Sequence, residues 1–143
     1  MLNHKQNLPF SVTSKLSEFL AQRINKDGLS IINFRNSKYH AEAGGFRPVE
    51  VMIEKSGESY AIIYYTEFRY FGQGIYAELG KSNDFDFREL TYYAEFIGPV
   101  PFDEEVGEMF NLFVSNTLSY AEMGCFDEIK VSYLGGHILL GNN

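Results

Sequence analysis

The sequence is short of the residues that most often give a function away. Tryptophan is absent, cysteine occurs once and histidine three times in 143 residues. The single cysteine, Cys125, excludes an internal disulfide and fits a reducing cytoplasm. It follows a helix-like run, where the negative end of the helix dipole opposes a thiolate, so its expected role is that of a small buried apolar group. His4, His40 and His137 never pair at helical spacing and none neighbours Cys125, so no zinc-ligand spacing is present. The nucleophile-elbow, SxxK and HExxH patterns are missing, as are the glycine patterns of phosphate and dinucleotide loops. No metal and no cofactor is expected. Uninterrupted apolar runs extend only a few residues, against about 20 for a membrane-spanning helix. Residues 1–8 hold no apolar core of signal-peptide length. The chain therefore reads as cytoplasmic, with no membrane association.

Positive charge is also scarce, and unevenly so. Residues 1–83 carry ten Lys/Arg and eight Asp/Glu, whereas residues 84–143 carry two and eleven, within a net charge of −7. Such a chain repels phosphate backbones, which disfavours nucleic acid as a partner.

Aromatic residues are plentiful, with 13 Phe and 10 Tyr. Hydrophobic content of 45% and charged content of 22% are those of a folded domain rather than a disordered chain. The length suits one domain, 1–143, with residues 1–10 as a loose N-terminal arm. Val12, Leu16, Phe19, Leu20 and Ile24 recur at helical spacing and predict a helix over 11–25, capped by Ser11 or Ser14 and stopped at Gly28. Residues 31–35 read as a short strand. Val49, Val51 and Ile53 alternate with Glu50, Met52 and Glu54, and a turn at 55–58 returns the chain into a long strand over 59–70. Strict alternation there groups Tyr60, Ile62, Tyr64, Thr66 and Phe68 on one face. Residues 72–80 read as irregular with one helical turn, 84–87 as a short edge strand, and 90–97 as a strand. The sheet is expected to end at Gly98-Pro99-Val100-Pro101, because proline cannot continue a central strand. Residues 103–123 form the clearest helix, with Val106, Met109, Phe110, Phe113, Val114, Thr117, Leu118 and Ala121 on one side. A last strand over 128–134 is followed by 137–140 as an extra edge piece or docked tail. The order predicts an α+β fold, an antiparallel sheet of about five to six strands with two main helices packed on one face.

The densest chemistry lies in residues 40–50, where two glycines, Arg47, Pro48, Glu42 and Glu50 fall together. Gly44 and Gly45 suit either an anion-facing backbone or a sharp turn into a strand. Glu42, Arg47 and Glu50 suit either a polar ligand or a local ion-pair network. If the loop is functional, Tyr39, His40, Glu42 and Arg47 are its candidate ligand-binding residues. Asp84 and Asp86 project to the same side of an extended segment, as a metal-binding pair or as the polar side of an ordinary strand.

The stretch 33–50 (NFRNSKYHAEAGGFRPVE), with 65–72 (YTEFRYFG), 84–87 (DFDF) and 110–116 (FNLFVSN), resembles a family of small uncharacterised gammaproteobacterial proteins of the Vibrio and Shewanella type. The resemblance covers Asn33 to Tyr133. It implies a small single-domain bacterial protein and carries no activity that can be transferred to named residues.

The leading functional expectation is a non-enzymatic interaction module, a homodimer formed through an exposed aromatic sheet face bearing Tyr60, Tyr64 and Phe68 or Tyr92 and Phe96. The alternative is a small-molecule binder or enzyme with its site beside the 39–50 loop. A third reading, nucleic-acid association within a mobile-element system, is opposed by the net charge.

Overall fold

In the computed structural model, which describes residues 1–42 and 44–141, ten regular elements follow in chain order. They are β1 (Asn3–His4), α1 (Ser14–Arg23), β2 (Gly28–Arg35), β3 (Val49–Ser56), β4 (Ser59–Phe71), β5 (Glu78–Asp86), β6 (Thr91–Ala94), β7 (Gly98–Pro101), α2 (Glu104–Glu122) and β8 (Glu128–Gly135), with one 3-10 turn at Gly74–Tyr76. The strands form one eight-stranded sheet in the order β7-β6-β5-β4-β3-β2-β8, with β1 alongside β4. Every pairing is antiparallel except that of β1 with β4. The sheet is thus larger than the five to six strands expected, because segments read as turns or ends also pair.

Gly98–Pro101 does not terminate the sheet but forms its outermost strand, with Pro99 opposite Tyr93 and Pro101 opposite Thr91. At an outer edge a missing N–H breaks no ladder, which is why proline is tolerated there. Residues 84–87 are not at an edge either: Asp84 and Phe85 lie within β5, between β4 and β6.

The expected loose arm is held along its length. β5 pairs only with residues 64–71 of β4, and β1 takes the vacant side at Ser59 and Tyr60. Beyond it, the Gln6 side-chain amide donates to Ile62 O (2.9 Å) and accepts from Ile62 N (2.8 Å), extending the ladder without backbone. Phe10 then packs among Phe87, Phe102 and Phe110.

Both helices lie on one face of the sheet. Thr13, rather than Ser11 or Ser14, caps α1. Asp103 caps α2 by accepting from Val106 N at 2.8 Å, and Glu104 and Glu105 sit at the positive end of the helix dipole. Leu16 and Leu20 of α1, Ile24 just after it, and Val106, Phe110 and Val114 of α2 are buried against Ile32, Phe34, Val51, Ile53, Tyr60, Ile62, Tyr65 and Phe85. Phe110 is the keystone, meeting Tyr65, Phe85 and Phe87 edge-on at 5.5, 5.2 and 5.0 Å. Full burial of such a ring contributes about 1.5–3 kcal/mol. Met109, expected on the inner side of α2, faces outward instead. Cys125 is only half-buried. No helix among the described residues is long and apolar enough to cross a membrane.

A groove on the open sheet face

The candidate site owes its existence to one extra residue in β4. Strict alternation would place Tyr60, Ile62, Tyr64, Thr66 and Phe68 on a single face, but they do not share one. Met52 of β3 pairs with Tyr64 and Ile53 with Ile62, so Ile63 is a β-bulge. Before it, Tyr60 and Ile62 point into the helix-covered core. After it the parity reverses: Tyr65 enters the core, while Tyr64, Thr66 and Phe68 line a groove on the opposite face. Re-aiming side chains in this way is what a bulge does to a strand.

The groove has a volume of about 450 Å³, within the range of ligand sites. Two transverse rows of paired residues form its floor. One runs Glu50–Thr66–Asp84 and the next Met52–Tyr64–Asp86, across β3, β4 and β5. Ile63 and Phe68 add apolar wall, Lys81 and Arg88 stand at the rim, and Ile138 closes one side.

Each carboxylate in the groove is fixed by a partner from within the fold. The Tyr64 hydroxyl donates to Glu50 Oε2. Thr66 Oγ1 donates to Asp84 Oδ1 at 2.6 Å, and Lys81 Nζ lies 3.5 Å from Asp84 Oδ2. Asp86 Oδ1 accepts from the backbone N–H of Arg88 (2.9 Å) and Glu89 (3.0 Å). Burial first, then the Glu50 and Asp84 carboxylates, hold the Tyr64 phenol far above its ordinary range, so it remains a neutral donor. Three acids and two bases leave the groove with a surplus of negative charge. Among the described residues no group of three or more His, Cys, Asp or Glu is placed to hold a metal ion.

The four residues singled out in the 39–50 loop lie elsewhere, and none of them lines this groove. Tyr39 stacks on Tyr70, with ring centroids 5.4 Å apart, and its hydroxyl accepts from Tyr70 N at 3.3 Å. His40 and Gly44 form a backbone bridge, and the His40 and Glu42 side chains are exposed. Arg47 donates to Glu67 Oε1 at 3.2 Å, where Ser82 and Asn83 also donate. Ala43 of this loop lies outside the described residues. Glu50, read in the loop's ion network, pairs with Tyr64 instead.

A second exposed feature is the pair of turns 72–77 and 95–97. Ile75 and Phe96 are 91% and 88% exposed, beside the exposed Tyr76 and Ile97. Phe96 adopts φ +70°, an unfavourable conformation for an aromatic residue, with Arg69 6.0 Å from its ring centre. Of the supposed aromatic face, Tyr60 and Tyr92 are buried.

A single mixed-size sheet with helices on one face and a charged, apolar-walled groove on the other defines an α+β protein with a preformed concave surface. The chain belongs to the family described as protein of unknown function DUF2787, which it matches over residues 11–132. It is similar to two solved hypothetical proteins of Vibrio cholerae. The one from the VSP-II pathogenicity island is 29% identical, with a TM-score of 0.77 over 94% of this chain and 100% of that one. The other, from pathogenicity island VPI-2, is 31% identical, with a TM-score of 0.67 over 91% and 100%, and is described as sharing structural homology with the human P32 protein. No curated protein matches the chain.

Proposed function

We propose that the protein is a non-enzymatic binding module and that its open-face groove receives a basic side chain of a protein partner. The observation that carries this reading is the convergence of Glu50, Asp84 and Asp86 in one concavity with Met52, Ile63 and Phe68. A lysine or arginine needs both surfaces: acceptors for its charged head and apolar wall for its stem. The acids are pinned by Tyr64, Thr66 and backbone N–H groups, so little ordering cost remains at binding. The net charge of −7 favours encounter with a basic surface. A cytoplasmic setting is consistent with the lone thiol of Cys125.

The test is an NMR titration with N-acetyl-arginine methylamide and, as control, its citrulline counterpart. Shifts are expected in β3, β4 and β5 around the groove, weakening with salt and lost in the Asp84→Asn/Asp86→Asn variant. Equal responses to arginine and citrulline, or shifts confined to other surfaces, would refute the reading.

Self-association is the second reading, moved from the sheet face to the turns bearing Ile75, Tyr76, Phe96 and Ile97. The large exposed apolar side chains, with Phe96 itself at an unfavourable φ, support it. Light scattering that gives a monomer mass at millimolar protein would sink it.

A further inference from the structure

Among the described residues, Glu54 is the one carboxylate of the sheet with no exposed surface, at 0%, and no cation of the sheet meets it. It lies on the same face as Glu50 and Met52, near the β3–β4 turn. Its four ligands all come from the segment after β8. Ile138 N and Leu139 N donate to Oε1 at 2.8 and 2.6 Å. Leu140 N and the His137 imidazole Nδ1 meet Oε2 at 2.8 and 3.0 Å. Three successive backbone N–H groups thus wrap one carboxylate, the arrangement by which backbone captures an anion, and both oxygens are fully used.

Little else holds the segment. Ile138 and Leu139 remain 41% and 42% exposed, so apolar burial contributes only part of the docking. Gly135 and Gly136 precede it, both at positive φ (72° and 76°), with open space where a side chain would project from each and their backbone close against Gly28. On either side of Glu54 lies a cleft that the segment only partly fills. Ile138 edges the groove already described, while Leu139 and Leu140 edge a cleft of about 820 Å³ whose other walls are His4, Lys5, Gln6, Asn7, Ser56 and Ser59.

We propose that Glu54 and its flanking clefts form a docking site for a short, bent aliphatic peptide segment, and that His137–Leu140 occupies it as an internal ligand. The partner is defined by what the site now holds: a run offering three consecutive backbone N–H groups to one buried carboxylate, with branched aliphatic side chains directed to both sides. Recognition is through the backbone and two side-chain clefts, so a segment of another protein with that chemistry competes with the tail. The inference goes beyond the groove's reading as a site for basic side chains and does not depend on it. A tethered ligand acts at an effective concentration in the millimolar range. The intact chain therefore resists competitors until the tail is weakened or a partner arrives at high local concentration.

The experiment uses the full chain. Leu139→Pro removes one of the three N–H donors and bars the wrapped conformation, without touching any strand. The acetylated, amidated peptide Gly-Gly-His-Ile-Leu-Leu-Gly is titrated into wild type, Leu139→Pro and Glu54→Gln/Leu139→Pro, with near-ultraviolet circular dichroism confirming that each is folded. The peptide is expected to bind Leu139→Pro at least tenfold more tightly than wild type, and Glu54→Gln to abolish the gain. In wild type, saturating peptide should accelerate hydrogen exchange at the amides of 138–140. Adding Asp84→Asn/Asp86→Asn to Leu139→Pro should leave the dependence of peptide binding on Glu54 intact, which separates this site from the acids of the groove. Equal binding by wild type and folded Leu139→Pro, no binding by either, insensitivity to Glu54→Gln, or loss of the Glu54 dependence on changing Asp84 and Asp86 each overturns the proposal.

Discussion

Replacing Gly107 by alanine should destabilise this protein, and removing the Phe10 side chain should reverse the sign of that effect. Gly107 is buried in the first turns of α2, where the N-terminal arm crosses the helix. A Cβ there would lie 2.3 Å from Phe10 Cγ, 2.4 Å from its Cβ and 2.7 Å from its Cδ1. Non-bonded carbons settle at about 3.5–4.0 Å, so the arm must retreat by roughly 1 Å or more. The atoms struck are at the root of the side chain, so a rotamer change cannot relieve the clash. Phe10 is held by Phe87, Phe102 and Phe110 at ring separations of 6.4, 5.5 and 6.0 Å, and retreat opens all three contacts. Overpacking costs about 1–3 kcal/mol, and a clash at the root of a packed ring falls in the upper part of that range, about 2–3 kcal/mol, against a helix-propensity gain from glycine to alanine of about 0.8–1.0 kcal/mol. The expected net loss is about 1–2 kcal/mol, read from urea unfolding at constant m-value. In a Phe10→Gly background the obstacle is gone and Gly107→Ala should stabilise by about 1 kcal/mol. The coupling between the sites, about 2–3 kcal/mol, is the quantity a double-mutant cycle measures. A neutral or stabilising Gly107→Ala in the parent, or the same shift in both backgrounds, would show that the arm does not dock on α2.

Two further outcomes follow from buried polar atoms. Ser30 Oγ is fully buried without a hydrogen-bond partner among the described residues, a state that costs about 1–3 kcal/mol, so Ser30→Ala should raise the unfolding free energy by about 1 kcal/mol; a loss of that size would mean the hydroxyl is bonded. Burial pushes Glu54 up, but the N–H groups of Leu139 and Ile138, His137 and Leu140 together outweigh it and leave its carboxyl below the usual glutamate value. A depressed carboxylate stabilises the docked tail fully above the unfolded value of about 4.3, and that stability drains as pH falls through the lower folded value. Hydrogen exchange at 138–140 should therefore lose its protection in that acid window. His137 is the titratable group against Glu54, with the Lys55–Asp27 pair nearby, and Lys55→Met tests whether that pair sets the window.

The periodic parts of this fold are legible in the sequence because each residue's environment is set by its own strand or helix. Val49, Val51 and Ile53 alternate cleanly and are buried, and the apolar side of α2 fills the core. What escapes is pairing that depends on distant vacancies. Asn3–His4 become a strand only because β4 outruns β5, and Gln6 reads as solvent-exposed until Ile62 supplies two backbone groups for it to bond. Gly98–Pro101 looks like an ending because proline excludes central strands, yet the same rule admits it at an edge.

The candidate site is less legible, and for a related reason. Local density of charged residues and glycines draws attention to 39–50, but density along the chain is not convergence in space: Tyr39 and Arg47 are occupied by Tyr70 and Glu67. The groove instead joins Glu50, Tyr64 and Asp84, separated by 14 and 20 positions, through register across three strands. Only Asp84 and Asp86 carry a local signal, their spacing of two. The decisive residue, Ile63, carries none, because a bulge is set by how two strands share their hydrogen bonds rather than by the identity of the residue left over. Had β4 alternated without interruption, Tyr64 would share the buried side of Tyr60 and Ile62, and Glu50 would lose the hydroxyl that now fixes it. One inserted backbone unit thereby converts an aromatic run from core into core on one half and binding surface on the other. Glu54 shows the same dependence: nothing around it in the sequence marks it as buried, since its burial is conferred by residues 137–140 returning from the far edge of the sheet.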